Sequence, residues 1–210
     1  MIYSASKVVA GIGRWLGVLA ALAGLSGCAS TSFPPAPPTA AEAEYNYVIG
    51  PGDMVDIVVW RNAELSKSVP VRPDGKITTP LVEDLPALGK DASTLARDIE
   101  KALGKFIRDP IVTVVVTTFV GPYSEQVRVV GEAAKPQTLP YVQRMTLLDL
   151  MTKVGGITEF ADGNGATILR TAEGNKQYSV RLKDLLKRGD VSANVEMRPG
   201  DVLIIPQSWF

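Results

Sequence analysis

Hydrophobic alternation is the first regular signal along the chain. Val55, Ile57 and Val59 alternate with Asp56 and Val58, and the run closes on Trp60. A period of two with one apolar face predicts a strand. Just before it, Gly50-Pro51-Gly52-Asp53 carries a turn signal, because Pro presets φ at the second turn position and Gly accepts a positive φ at the third. Val69 and Val71 predict a second strand, Pro73-Asp74-Gly75 a turn, and Lys76-Ile77-Thr78-Thr79 a third strand. The stretch 47–80 is therefore expected to be a β meander, and 80–86, with Pro80 and Pro86 at its ends, a bend. The period then lengthens. Leu95, Ile99, Ala102, Leu103 and Phe106 fall on one stripe while Arg97, Asp98, Glu100 and Lys101 face outward. This predicts a helix over 92–106, capped by Asp91 and stopped by Asp109-Pro110. Residues 111–119 are β-branched almost throughout and apolar on both faces, which predicts a strand at the centre of a sheet or against a neighbouring subunit.

The second half repeats the grammar. Strands are expected over 126–130 and 137–140, with Gly131-Glu132 to Lys135-Pro136 turning between them. Thr146 is placed to cap a helix over 147–154, with Asp149 near its positive end, Leu147, Leu150, Met151 and Val154 buried, and Gly155-Gly156 closing it in left-handed geometry. Strands over 166–170 and 176–180 flank the turn Glu173-Gly174-Asn175, and a short amphipathic helix covers 182–187. Pro199-Gly200-Asp201 then repeats the earlier turn and launches a strand over 202–205. Strands interrupted by single helices indicate an α+β fold.

The N-terminal 28 residues follow a different rule. Lys7 and Arg14 precede the apolar run 15–25, which is the size of a signal-peptide core and too short to span a bilayer as a helix. It ends in Leu25-Ser26-Gly27-Cys28, which resembles a bacterial lipobox, with Cys28 the acylated residue. Cys28 is the only Cys, so no internal disulfide is possible. Each buried methylene of an acyl chain contributes about 0.8 kcal/mol, so several chains make a lasting anchor. In many bacterial lipoproteins an Asp after the Cys accompanies inner-membrane retention; Ala29 favours the outer membrane, and the compartment would be the periplasm. Pro34, Pro35, Pro37 and Pro38 among Ala, Ser and Thr predict an extended tether over 29–46, reaching roughly 50 Å at about 3.1 Å per residue.

Charge and composition narrow the chemistry. The chain has 22 basic and 22 acidic residues, which is no footprint for nucleic acid. Removing residues 1–27 takes away Lys7 and Arg14 and leaves 20 − 22 = −2. There is no His, hence no ordinary general base near neutrality and no imidazole metal ligand. No nucleophile, phosphate loop or metal cluster is recognisable, and neither a cofactor nor an enzymatic activity is expected. Asp162-Gly163-Asn164-Gly165 hints at a calcium loop, but Ala166 and Thr167 stand where an oxygen ligand and Gly are required. Glu83-Asp84 are adjacent acids in a bend, whereas glycosidase carboxylates stand roughly 5–10 Å apart across a sugar. Arg72, Lys76, Arg170 and Arg181 are read as surface charge. Trp60 and Tyr47 have the chemistry to stack on sugars, but burial beside the valine face is the expectation.

Several separated motifs resemble one family. Val48-Ile49-Gly50-Pro51-Gly52-Asp53, Val58-Val59-Trp60, Glu64-Leu65-Ser66, Val71-Arg72-Pro73-Asp74-Gly75-Lys76-Ile77 and Pro80-Leu81 are similar to the polysaccharide export domain of outer-membrane capsule and exopolysaccharide exporters. The helix ending before Arg108-Asp109-Pro110 and the valine strand follow the same pattern. Val129-Val130-Gly131-Glu132, Pro136, Leu139-Pro140, Thr146-Leu147-Leu148, Gly155-Gly156-Ile157 and Arg198-Pro199-Gly200-Asp201 resemble the soluble-ligand-binding β-grasp domain that follows it in such exporters. One departure is Val82-Glu83-Asp84-Leu85-Pro86, where those proteins often place a Gly; the chain resembles the short form associated with exosortase loci. The resemblance implies a signal peptide over 1–27, a lipidated Cys and tether over 28–46, an export domain over 47–120, a β-grasp domain over 121–206 and a tail over 207–210. Larger members carry a C-terminal helix that crosses the outer membrane, and only five residues follow Ile205 here. The expectation is a lipid-anchored, periplasm-facing outer-membrane protein that assembles as a homo-oligomeric ring or adaptor for polysaccharide. A separate outer-membrane barrel and an inner-membrane co-polymerase would be its partners. The alternatives are a monomeric periplasmic module that binds a saccharide or small ligand, and an anchored glycan-cleaving enzyme.

Overall fold

The structure is a computed structural model and describes residues 33–39 and 45–209. The chain divides into two units, Met1–Ser32 and Phe33–Phe210, and the fold described is that of the second. Cys28 and the segment expected to be a signal peptide lie outside the described residues. The fold is α+β, with two hydrophobic cores following one another along the chain.

The first core is built as the alternation requires. Strand β1 (Met54–Val59) turns Val55, Ile57 and Val59 inward. It pairs antiparallel with β2 (Lys67–Pro70) on one side and with β5 (Val112–Thr118) on the other. Helix α1 (Ala92–Leu103) covers the inner face with Leu95, Ala96, Ile99 and Leu103; the Asp91 carboxylate caps it by accepting from the Thr94 amide at 2.8 Å. The helix ends three residues short of the expected Phe106. Gly104, a poor helix former, takes the C-cap, the chain turns, and Ile107 packs on the core while Phe106 is left exposed.

Three further expectations are corrected here. Residues 80–86 are not a bend throughout: β4 (Val82–Pro86) pairs antiparallel with β3 (Lys76–Thr79), with Leu81 and Asp84 in left-handed backbone conformations that accommodate the irregular register. Of the two places expected for β5, the sheet centre is excluded: β1 takes the middle position and β5 is an edge among the described residues. Val112, Val114 and Val116 face the core, and Val115 stands exposed between Thr113 and Thr117 on the outer face. Trp60 is exposed as well, being in phase with Val58 rather than with the buried set.

The second core lies within a five-stranded sheet in the order β7-β6-β10-β8-β9. Its strands are β6 (Gln126–Gly131), β7 (Thr138–Pro140), β8 (Thr167–Arg170), β9 (Lys176–Ser179) and β10 (Val202–Ile205). Only β6 and β10 run parallel; the other neighbours are antiparallel, giving the mixed sheet of a β-grasp-like fold. Helix α2 (Leu147–Val154) packs across it with Leu147, Leu150, Met151 and Val154 buried. Its start is a full capping box between Thr146 and Asp149, and Gly155 at φ 81° closes it. Helix α3 (Leu182–Arg188) adds Leu182 and Leu185 to the same core.

Part of the expected tether belongs to this domain. The Ser179 amide donates to the Pro34 carbonyl at 2.9 Å, the Ala36 amide to the Ser179 carbonyl at 3.1 Å, and the Glu196 amide to the Pro38 carbonyl at 3.0 Å. Ala36 is buried in the second core. The Pro34 carbonyl and the Ala36 amide both pair with Ser179 on the outer side of β9, an edge that is otherwise open among the described residues. Residues 33–39 are thus a strap on the sheet rather than free linker.

Candidate functional site

The two Pro-Gly-Asp turns are the same device used twice. In the first, the Asp53 amide donates to the Gly50 carbonyl at 3.2 Å and the Gly50 amide returns a bond to Asp53 Oδ2 at 2.9 Å. In the second, the Asp201 amide donates to the Arg198 carbonyl at 3.1 Å and the Arg198 amide to Asp201 Oδ2 at 2.8 Å. Gly52 and Gly200 hold φ of 89° and 79°, as the third position of a type II turn demands. Both carboxylates are buried, and each ties its turn to more distant groups.

Asp53 holds the junction between the two cores. Its Oδ2 also accepts from the Tyr47 hydroxyl at 2.6 Å, and its Oδ1 accepts from the amides of Val120 and Gly121 at 2.7 and 2.8 Å. The Gln126 amide group donates to the carbonyls of the same two residues, at 3.2 and 3.0 Å. The segment leaving β5 is therefore clamped from both sides. Gly50 lies so close to it that a Cβ would fall 2.1 Å from the Pro122 nitrogen, so the approach requires a residue without a side chain.

This clamp shapes a cleft. Tyr45, Tyr47, Phe119, Pro140, Tyr141, Val142, Gln143 and Lys153 line an open hollow of about 390 Å³ where the end of β5 meets β7. Tyr45 packs edge-on against Tyr141 with ring centroids 5.0 Å apart, and Tyr47 against Phe119 at 5.2 Å. Burial, and then the Glu125 carboxylate beside it, hold the Tyr45 phenol in its protonated form well above its ordinary range. Burial and the hydrogen bond to Asp53 do the same for Tyr47, and burial raises Tyr141. All three phenols stay protonated at neutral pH and offer ring surface rather than acid–base chemistry.

Asp201 anchors a second cluster. Arg170, expected on the surface, is 1% exposed, because β8 is an interior strand and its last residue turns inward. Its Nε lies 3.7 Å from Asp201 Oδ2, its Nη1 3.8 Å from Glu173 Oε1, and its Nη2 donates to the Glu196 carbonyl at 3.1 Å. The guanidinium sits 5.1 Å from the Tyr178 ring centroid. Glu173 accepts from the Tyr178 hydroxyl and pairs with Arg198. Burial outweighs these cations at Asp201 and pushes its carboxyl up to about 6.

The remaining motif residues have local roles. Arg72 bridges Asp74 and Asp84 at 2.7 and 2.5 Å. With Pro73 and Gly75 it forms the turn into β3, and Pro80 lies in the turn from β3 to β4. Arg181 pairs with Asp184 and Asp190. Gly131 ends β6, and the loop after it receives Gly155 and Gly156: the Ala134 amide donates to the Gly156 carbonyl at 3.0 Å. Asp162 closes its own loop by accepting from the Gly165 amide at 2.9 Å, and among the described residues no group of acids is placed to hold a metal ion. No helix among them is long and apolar enough to cross a membrane. The aromatic cleft itself was missed by the sequence reading. The Tyr-x-Tyr pair at 45 and 47 is its one local sign, and its other wall comes from residues nearly a hundred positions away.

Comparison with known proteins follows the same two-part division. Residues 41–117 match the polysaccharide biosynthesis/export protein family and residues 125–205 match the SLBB domain family. The chain is similar to the EPS I polysaccharide export outer membrane protein EpsA of Ralstonia nicotianae, 28% identical over 186 residues, covering 77% of this chain and 47% of that protein. The corresponding protein of Ralstonia solanacearum is 28% identical over 182 residues, covering 75% and 47%. The exopolysaccharide production protein ExoF of Rhizobium meliloti is 27% identical over 167 residues, covering 73% and 38%. The chain therefore spans half or less of the length of these relatives.

Proposed function

We propose that this chain, which belongs to the polysaccharide biosynthesis/export family, acts in the export of exopolysaccharide or capsular polysaccharide across the outer membrane. The observation that carries the reading is the pair of matched domains in series, joined by a clamped junction rather than a free linker. In this reading residues 1–27 are a signal peptide, Cys28 is lipidated, residues 47–120 and 121–206 are the two working domains, and the protein faces the periplasm. It acts without catalysis, as a homo-oligomeric ring or adaptor. A separate outer-membrane barrel would provide passage, and an inner-membrane co-polymerase would deliver polymer.

The outer face of the first sheet supports assembly. Val58, Trp60, Ile111 and Val115 are exposed together on β1, β5 and their flanks, and β2 and β5 are the sheet's edges among the described residues. Exposed apolar edge strands are templates for association. The second reading is a monomeric saccharide-binding module, and the open aromatic cleft favours it. Cross-linking in membranes separates the two: a lysine-reactive bifunctional reagent is expected to give a ladder of oligomers that Val115→Asp weakens by placing a charge on the exposed apolar face and Cys28→Ser weakens by releasing the protein from the membrane. Monomer alone in native membranes would favour the binding module.

A further inference from the structure

We propose that the aromatic cleft between β5 and β7 is a saccharide subsite that holds a short stretch of the exported polymer against the rings of Tyr47, Phe119 and Tyr141. The inference rests on the export reading and adds the place of contact to it. The lining is mostly ring and aliphatic surface, with the Gln143 amide and the Lys153 ammonium as the polar groups beyond the tyrosine hydroxyls. A sugar ring has the matching split, apolar C–H faces and an equator of hydroxyl acceptors and donors. A phosphorylated ligand would need several converging cations, and Lys153 is the single cation in the lining.

The walls are also fixed before any ligand arrives. The Tyr47 hydroxyl is committed to Asp53, and the Tyr141 hydroxyl accepts from the Arg144 amide at 3.3 Å, so both rings are oriented through their polar ends. The loop that carries Val142 and Gln143 is closed by the Met145 amide donating to the Val142 carbonyl at 2.9 Å, and it holds Arg144 at φ 61°. A left-handed Arg is strained and persists because its surroundings impose it. Phe119 remains about half exposed although it is paired edge-on with Tyr47, which leaves ring surface available. The hollow is open to solvent, which suits a passing chain better than an enclosed small molecule.

The test uses oligosaccharides made by partial acid hydrolysis of the polymer recovered from the medium of the strain carrying the gene. They are titrated by calorimetry into the full chain in detergent. Saturable binding is expected, weakened about tenfold by Phe119→Ala through loss of ring contact and a few-fold by Lys153→Ala, with melting curves confirming that both variants fold. No binding up to about 10 mM, or equal binding by wild type and both variants, overturns the subsite. A deletion strain that still secretes polymer normally overturns the export reading instead, so the two failures are distinguishable.

Discussion

Replacing Asp53 by Ala is expected to cost about 4 kcal/mol of stability and to lower the melting temperature of the folded unit by roughly 8–16 °C. The buried carboxylate accepts four hydrogen bonds, from the Tyr47 hydroxyl and from the amides of Gly50, Val120 and Gly121. Alanine would leave three amides and the Tyr47 hydroxyl without their acceptor at the junction of the two cores. An unsatisfied buried donor costs about 1–3 kcal/mol, and relaxation or entering water recovers part of the sum. Asp53→Asn should be less damaging than alanine but still destabilising, because one of its two acceptor positions becomes a donor. The same variants should broaden the Tyr47 and Phe119 resonances, since the clamp holds Tyr47 directly and Phe119 through the neighbouring Val120 amide. Thermal melts of Asp53→Ala within about 2 °C of wild type would contradict this assignment.

The second large effect is a pH dependence. The Asp201 carboxyl is raised by burial from 3.8 to about 6 in the folded state, against Arg170 and Arg198, which favour its charged form, and with Glu173, which opposes it. A raised carboxyl binds its proton more tightly when folded. Its stabilising contribution is therefore fully present below 3.8 and is lost as pH rises through about 6. Two pKa units correspond to about 3 kcal/mol. Asp149, Asp184 and Asp190 are depressed by their hydrogen bonds, so their effect has the opposite sign and acts mainly below 3.8. Chemical denaturation between pH 4 and 7 is expected to show stability falling with rising pH in wild type relative to Asp201→Asn. A constant difference between the two proteins across that window would count against a raised carboxyl.

What the sequence disclosed depended on how local each cause was. Val55, Ile57 and Val59, the Asp91 and Thr146 caps, the Gly155 stop and both Pro-Gly-Asp turns act within a few residues, and each stands where the pattern placed it. Errors arose where a partner distant in sequence decides. Val82 and Leu85 look like part of a bend until Thr79 and Ile77 are seen opposite them. Nothing in a β-branched run says that β1, rather than β5, takes the sheet centre. Phe106 is the local exception: it continues the helical stripe, yet Gly104 two residues before it ends the helix and Ile107 packs on the core instead. Arg170 reads as surface charge because its buried partners, Asp201 and the Glu196 carbonyl, come some thirty residues later. Pro34 to Pro38 have a linker's composition, and only the open edge of β9 turns them into a strap. The cleft was least legible of all, since Tyr45 and Phe119 meet Tyr141 and Lys153 only after both domains have folded and been clamped together.

Polymer location in a deletion strain tests the central claim most directly. Cells lacking the gene, fractionated and assayed for surface, medium and periplasmic polysaccharide, are expected to lose exported polymer and to retain it inside the outer membrane or stop its synthesis. The wild-type gene should restore export and the Cys28→Ser gene should not. Undiminished polymer in the medium of the deletion strain would contradict the account.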